Sequence, residues 1–328
     1  MKNYRIFYQS LVPVVLAFSA CTFSTEGSIQ QVLRMNAEAP VFLDCRPISA
    51  TEIAFSFSAP VRVVSLNFDP GLETGTIGEG REIKVSFEKP LDEGKRVTAD
   101  ILVEDSGRNT LNVIVPFRAR NDRMPALVFN EFRTEYSKPR VEFVEFSALE
   151  AGNLGAMRLF VAGHSMTKPL YEFPPVEVRA GEYIVLHLRT IDEGCVDETG
   201  TDLGLSGGNE ALDTARDFWI PGASKLLHRT GALWLMDQDD RIIDAVLFCE
   251  NSTEWGKNNS AAAAEFLAEN EAWLPDPANA VSTAGTTATR TICRDESIPP
   301  ARRSANWYVS ATSSATPGKP NNPKRYVP

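Results

Sequence analysis

The sequence predicts an all-β chain built as two antiparallel β-sandwiches in tandem, the second with a short helical insertion. Three observations lead there. Apolar residues recur at every second position in several short stretches, the period of a half-buried strand. Turn-forming clusters separate those stretches at spacings of about 8–12 residues. A polar, aperiodic stretch at 118–126, RARNDRMPA, holds Pro125 and divides the strand-rich sequence in two. With 328 residues, 43% hydrophobic and 23% charged, the chain is long and apolar enough for two folded domains.

The first element is a leader. Lys2 and Arg5 precede an unbroken apolar run at 11–18, followed by the small residues Ser19 and Ala20 and then Cys21. That order is the layout of a secretory signal. The run falls short of the ~20 residues that span a bilayer, and Pro13 interrupts it. LAFSAC resembles the lipobox of bacterial lipoproteins, although Phe18 stands where leucine is usual. The resemblance implies a signal peptide over 1–20 and acyl chains on Cys21, each buried methylene contributing roughly 0.8 kcal/mol of membrane attachment. The alternative is an ordinary signal with a chance cysteine. Thr22 beside Cys21 is not the aspartate of an inner-membrane retention signal, which favours the outer membrane. Residues 21–39 have no sustained period and read as a flexible tether, which as a coil reaches about 23 Å.

Period two begins after Pro40. Ile53, Phe55 and Phe57 share one face of TEIAFSFSAPV, Ile83, Val85 and Phe87 one face of REIKVSF, and Leu111, Val113, Val115 and Phe117 one face of TLNVIVPF. Asp69-Pro70-Gly71, Gly78-Glu79-Gly80, Asp92-Glu93-Gly94 and Ser106-Gly107 supply the turns. The stretch 40–120, with VFLDC, FSFSAPV and VIVPF as its marks, resembles the Ig-like modules of bacterial surface proteins.

The second part, 126–322, shows apolar strands with acids set among them. Its marks, in order, are Asn130-Glu131-Phe132, Glu142-Phe143-Val144-Glu145-Phe146, Gly181-Glu182-Tyr183-Ile184-Val185-Leu186, the hairpin from Leu235-Met236-Asp237 to Asp244-Ala245-Val246, and Thr316-Pro317-Gly318-Lys319-Pro320-Asn321. Together they resemble the lamin-tail domain, an Ig-like sandwich that also occurs in exported bacterial proteins. Two insertions depart from that pattern, near 190–216 and 250–285. YIVLHL, apolar on both faces, reads as a central strand. Asp237-Gln238-Asp239-Asp240 reads as a hairpin turn. In SAAAAEFLAENEAWLP, Ala263, Phe266, Leu267, Asn270 and Trp273 fall on one helical face that Pro275 ends. Residues 323–328 remain as a tail.

The net charge of −10 and the scattered basic residues exclude a phosphate-backbone footprint, so no nucleic-acid partner is expected. Arg118, Arg120 and Arg123 read as solvated loop charges. Chemistry could sit in a few places. Gly204-Leu205-Ser206-Gly207-Gly208 matches G-x-S-x-G, but a polar loop rather than a strand precedes it, so a glycine-rich loop is the better reading. Asp192, Asp197 and Asp202, with Glu193 and Glu198, could offer oxygens to Ca²⁺, though their spacing fits no EF-hand; a solvated acidic loop is the plainer reading. Glu142 and Glu145, three apart on a strand, point to opposite faces and cannot act on one bond. His164, His187 and His228 form no metal motif. Cys45, Cys195, Cys249 and Cys293 allow three disulfide connectivities in an exported protein. A Cys249–Cys293 bridge would clamp the helical insertion, and buried free thiols are the equal alternative.

These readings point to a lipid-anchored protein of the bacterial envelope. It would be non-enzymatic, without a cofactor, and would bind a protein or envelope polymer through the 190–216 loop and the 250–300 segment. The rivals are an envelope hydrolase using Ser206 or the acidic loop, and a carbohydrate- or peptidoglycan-binding module using Trp219 and Trp255.

Overall fold

The computed structural model describes residues 39–311 and 315–327. The signal over 1–20, Cys21 and nearly all of the tether lie outside them. Among the described residues no helix is long and apolar enough to cross a membrane.

The first domain is one antiparallel sheet folded over on itself. It contains β1 (Phe42–Ser49), β2 (Glu52–Asp69), β3 (Thr74–Ile77), β4 (Gly80–Phe87), β5 (Arg96–Asp105) and β6 (Thr110–Arg118). The order is β3-β4-β2-β5-β6, with β1 also on β2. The start of β2 pairs with β1 and β4, and its later half, from Val61, pairs with β5. The handover falls at Ala59-Pro60, where the pairing with β4 shifts register. Proline lacks the N–H a ladder needs, so it belongs at such a break. The two layers thus share one strand. Between them lie Phe55, Phe57, Ile83, Val85, Ile101 and their neighbours. The alternating faces of TEIAFSF and REIKVSF are buried as expected. Strand β5 carries the same signal, with Val97, Ala99, Ile101 and Val103 alternating strictly and buried along it.

The second domain is a sandwich of two sheets. One sheet holds β7 (Leu127–Arg133), β8 (Phe143–Ala148), β13 (Tyr183–His187), β14 (Arg216–Trp219), β18 (Ile292–Arg294) and β19 (Trp307–Val309), ordered β14-β13-β8-β7-β18-β19. The other holds β10 (Arg158–Val161), β11 (Tyr171–Glu172), β15 (Gly231–Met236), β16 (Ile242–Cys249) and β17 (Val281–Ser282), ordered β11-β10-β15-β16-β17. Short strands β9 (Gly152–Asn153) and β12 (Glu177–Val178) pair separately. Phe129, Phe132, Phe146, Phe218, Trp234 and Phe248 anchor the core between the sheets.

Two pairs are parallel rather than antiparallel: β13 with β14 and β16 with β17. A parallel pair needs a long crossover. The two insertions supply it, residues 188–215 for the first pair and 250–280 for the second. Each insertion therefore adds a parallel edge strand to a different sheet.

The helix in the second crossover, α1 (Ser260–Glu269), packs Ala263, Ala264 and Leu267 against the five-stranded sheet, with Phe266 5.6 Å from Trp234, ring to ring. It stops a turn earlier than the sequence predicts. Glu271 takes a left-handed φ of 54°, which ends the helix well before Pro275. Asn270 is exposed, and Trp273 is buried through the following turn, its indole N–H donating to the Asn279 carbonyl. The hairpin turn at 237–240 forms as expected; Asp237 Oδ1 accepts from the Asp239 and Arg241 N–H groups.

Residues 323–327 are docked rather than a free tail. Arg325 pairs with Asp295 at 2.6 Å and lies over the Tyr308 ring.

Candidate functional site

The outer face of the six-stranded sheet, turned away from the sandwich core, carries most of the buried polar chemistry. Strand β7 is bulged between Phe129 and Glu131. The bulge turns both Phe129 and Phe132 into the core while Glu131 points outward, directly across from Glu145 on β8. Asp244, reaching across from β16, accepts the Phe129 N–H at 2.9 Å. Both glutamates are fully buried beneath the C-terminal segment. Glu131 accepts from the Thr291 hydroxyl and from the N–H and hydroxyl of Thr316. Glu145 accepts from Asn130 Nδ2 and the Gly318 N–H. Asn321 completes the clasp: its amide donates to the Asn130 and Arg294 carbonyls, and its N–H donates to Glu296. Burial pushes both carboxyls upward; for Glu145 the facing Glu131 adds to the rise, and for Glu131 the threonine donors oppose it. The stretches Asn130-Glu131-Phe132, Glu145-Phe146 and Thr316–Asn321, singled out in the sequence, are thus the two halves of one internal clasp. Glu142 is elsewhere, in a buried bidentate pair with Arg189. The two carboxylates do not converge, as the strand argument requires.

The 188–215 crossover lies at the other edge of the same sheet. Its acids act as acceptors for nearby donors and do not gather. Asp192 takes the Asn209 N–H, Asp197 the Trp219 N–H and the Tyr171 hydroxyl, and Asp202 the Gly204 N–H. Glu198, completely buried, takes the N–H groups of Ser206 and Asp217. The Ca²⁺ candidates Asp192, Asp197 and Asp202 are therefore dispersed, and among the described residues no group of three or more His, Cys, Asp or Glu could hold a metal.

Ser206, His187 and Asp217 lie in the same region, but Trp219 stands among them. Trp219 Nε1 donates to Ser206 Oγ at 2.8 Å, and its ring stacks on His187 at 3.8 Å. His187 Nε2 meets Asp217 at 2.8 Å, while its Nδ1 is buried without a partner. The histidine is thus a half-satisfied core residue. Ser206 makes its side-chain hydrogen bonds to Trp219, Val196 and Gly207, none to a base that could activate it. Trp219 is buried, which corrects its reading as an exposed ring for sugar stacking; Trp255 is half-buried against the core. His164 is exposed, and burial and Lys225 lower the His228 pKa.

Of the two alternatives for Cys249 and Cys293, a bridge or buried free thiols, the structure shows the second. Both thiols are free. Cys249 follows Phe248 on β16 and Cys293 follows Ile292 on β18; both neighbours point into the core, so strand alternation sends the thiols outward from opposite sheets. Cys249 donates to the Asn251 carbonyl, and Cys293 lies beside Thr291. Cys45 and Cys195 are free as well, and burial, with Asp44 adding, pushes the Cys45 thiol up to about 12.

The arginines at 118–123 are ion-paired rather than free charges, although Arg123 remains exposed, as a loop charge would be. They brace the two domains. Arg118 pairs with Glu172, and Arg120 makes a bidentate pair with Asp239 at 3.0 and 3.1 Å. Arg123 bridges Glu93 of the first domain and Glu177 of the second, both at 2.7 Å. Asn121 exchanges two hydrogen bonds with Gln238 and donates to the Asn153 and Gly155 carbonyls. Gly94, with φ of 66°, rests against Gly155; a Cβ there would stand 2.5 Å from the Gly155 Cα. Arg133 and Arg216 carry a signal of their own in the sequence, a charged residue inside an apolar strand, which survives burial only when paired; Glu210, in the 188–215 crossover, carries no such signal.

An uncharacterized protein of Treponema pallidum (strain Nichols) is 30% identical over 190 residues, covering 55% of this chain and 48% of that protein. The chain thus spans about half the length of this curated relative. The crystal structure of a DUF4876 family protein from Bacteroides thetaiotaomicron aligns over 84% of this chain and 93% of its own at 12% identity, with a TM-score of 0.29, too loose to bear on the fold. A family model described as a protein second domain (TP_1001_2nd) matches residues 125–309, from the interdomain brace through β19. That match covers more than half of the sequence, and the chain belongs to this second-domain family.

Proposed function

We propose that this chain is a lipid-anchored protein of the bacterial envelope with a non-enzymatic binding or structural role. In this reading Cys21 carries the lipid and residues 22–39 form the tether. An Ig-like sandwich and a lamin-tail-type sandwich then present one rigid contact surface. The observation that carries the binding role is the brace: three arginines and an asparagine–glutamine pair couple the sandwiches, so loops on both can act as one surface. The internal use of the buried acids, Ser206 and His187 supports a non-enzymatic reading, because each is engaged in holding the fold. The lipid rests on LAFSAC.

The test compares membrane sedimentation of the wild type with Cys21→Ala, and protease digestion of intact and permeabilised cells. Release of the variant into the soluble fraction is expected. A Cys21→Ala protein that still sediments refutes the anchor. Digestion in intact cells would direct the search for partners outside the cell, and protection until permeabilisation would direct it to the periplasm.

A further inference from the structure

We propose that the second domain binds a small phosphate monoester, or inorganic phosphate itself, in a cavity on the outer face of the six-stranded sheet. The cavity measures about 340 Å³. Arg133 closes its base at the end of β7, Arg140 stands on the connection to β8, and Lys319 rises from the C-terminal clasp. Glu210 is the single acid. Three cations against one carboxylate leave a local charge of +2 in a chain whose net charge is −10.

Arg133 is the built part of the site. Its side chain is 2% exposed and is fixed from three directions: Nη1 donates to both oxygens of Glu210 at 2.7 Å and to the Val141 carbonyl, and the guanidinium lies over the Phe143 ring. Its Nε is buried with no partner among the described residues. A guanidinium held in this way is already oriented before a ligand arrives. Arg140 and Lys319 are exposed, and neither side chain makes an ion pair or hydrogen bond to any of the described residues. Two free cations flank a buried third.

Among the described residues the other charged concavities each leave at most one cation without an ion pair, although the lining of the groove between the domains also sums to +2. In the groove at Pro70, Lys89 is paired with Glu73 and Lys95 with Asp92. In the groove between the domains, Arg118, Arg120 and Arg158 are all paired, leaving Arg46 alone.

The charge of +2 favours a dianion over a monoanion. A phosphate monoester carries nearly two charges at pH 7.5, whereas a carboxylate or a phosphodiester headgroup carries one. Leu212, Ala315 and Pro317 line the rest of the cavity, so the organic part of the ligand would rest on an apolar wall.

This inference deepens the binding role proposed above but stands apart from the anchor, since the pocket is read with the purified protein and the anchor by sedimentation. The experiment is calorimetric titration of the protein with inorganic phosphate at pH 7.5 and fixed ionic strength, with acetate as comparator. Saturable phosphate binding is expected, weakened at least tenfold in Arg140→Ala/Lys319→Ala. Both positions are exposed, so unchanged melting temperature will confirm that the variant folds. Arg46→Ala, which removes an unpaired arginine elsewhere, should bind as the wild type does. Absence of saturable binding overturns the proposal, as does binding that survives the double variant, falls equally in Arg46→Ala, or is matched by acetate.

Discussion

Gly94→Ala tests whether the two domains form one body. The residue sits at φ of 66°, where an L side chain costs about 1–2 kcal/mol. The new Cβ would also meet the Gly155 backbone at 2.5 Å, while ordinary contact begins near 3.4 Å, so the Gly94 turn must back away by about 1 Å. That movement strains the bonds that seat this turn: Arg118 Nη1 to the Gly94 carbonyl at 3.1 Å, and the Gly94 N–H to the Ala119 carbonyl at 3.0 Å. Loss of one such bond costs about 1 kcal/mol. Together these give a destabilisation of ~3 kcal/mol. The assay is urea unfolding combined with limited proteolysis across 119–126. The variant should unfold at lower urea and be cut faster in that segment. Gly71→Ala is the control, because Gly71 has open space around it and no left-handed φ; its effect should stay within about 0.5 kcal/mol. If Gly94→Ala matches Gly71→Ala in both measurements, the domains are not held together through this contact.

Three further outcomes follow from the second domain. Burial raises the Asp244 carboxyl from 3.8 to about 6, so the group stabilises the fold at low pH and loses that contribution as pH rises through this window. At 1.36 kcal/mol per pH unit the effect reaches ~3 kcal/mol; Asp244→Asn should therefore raise stability at pH 7.5 by up to that amount and by less at pH 4.5, and an equal change at both pH values would refute the assignment. Asn321→Ala strips the buried Asn130 and Arg294 carbonyls of a donor and should cost about 2–4 kcal/mol, with faster hydrogen exchange at 316–321; a loss under about 0.5 kcal/mol would mean the clasp does not hold the segment. Alkylation after denaturation without reductant should label Cys249 and Cys293 in full, and a mass lacking two labels would restore the bridge.

The strands with strict alternation were legible because one face meets the core and the other does not, as in Ile53, Phe55 and Phe57. The same signal is present in β5. The insertions were visible as departures from a pattern, but their consequence was not. Nothing local in residues 188–215 says that the chain returns to lay β14 parallel beside β13. The helix end was misplaced because Pro275 is a visible stop, whereas the left-handed turn at Glu271 depends on tertiary packing.

For the site, the sequence marked acids within apolar strands and the Thr316–Asn321 motif without revealing that they meet. Glu131 and Asn321 are separated along the chain and become partners only when the C-terminal segment crosses the sheet. The Arg118–Arg123 group looked solvated because its acids, Glu93, Glu172, Glu177 and Asp239, are scattered through both domains.

The sequence by itself determined the all-β class, the hairpin turn at 237–240 and the buried faces of the strands it identified, because these depend on residue period and turn chemistry over a few positions. Only the tertiary structure decided which charges are spent on one another, which cysteines face apart and where a cationic surplus survives. Those outcomes depend on distances between residues far apart in the chain, and electrostatic and hydrogen-bonding energies are set by distance and burial.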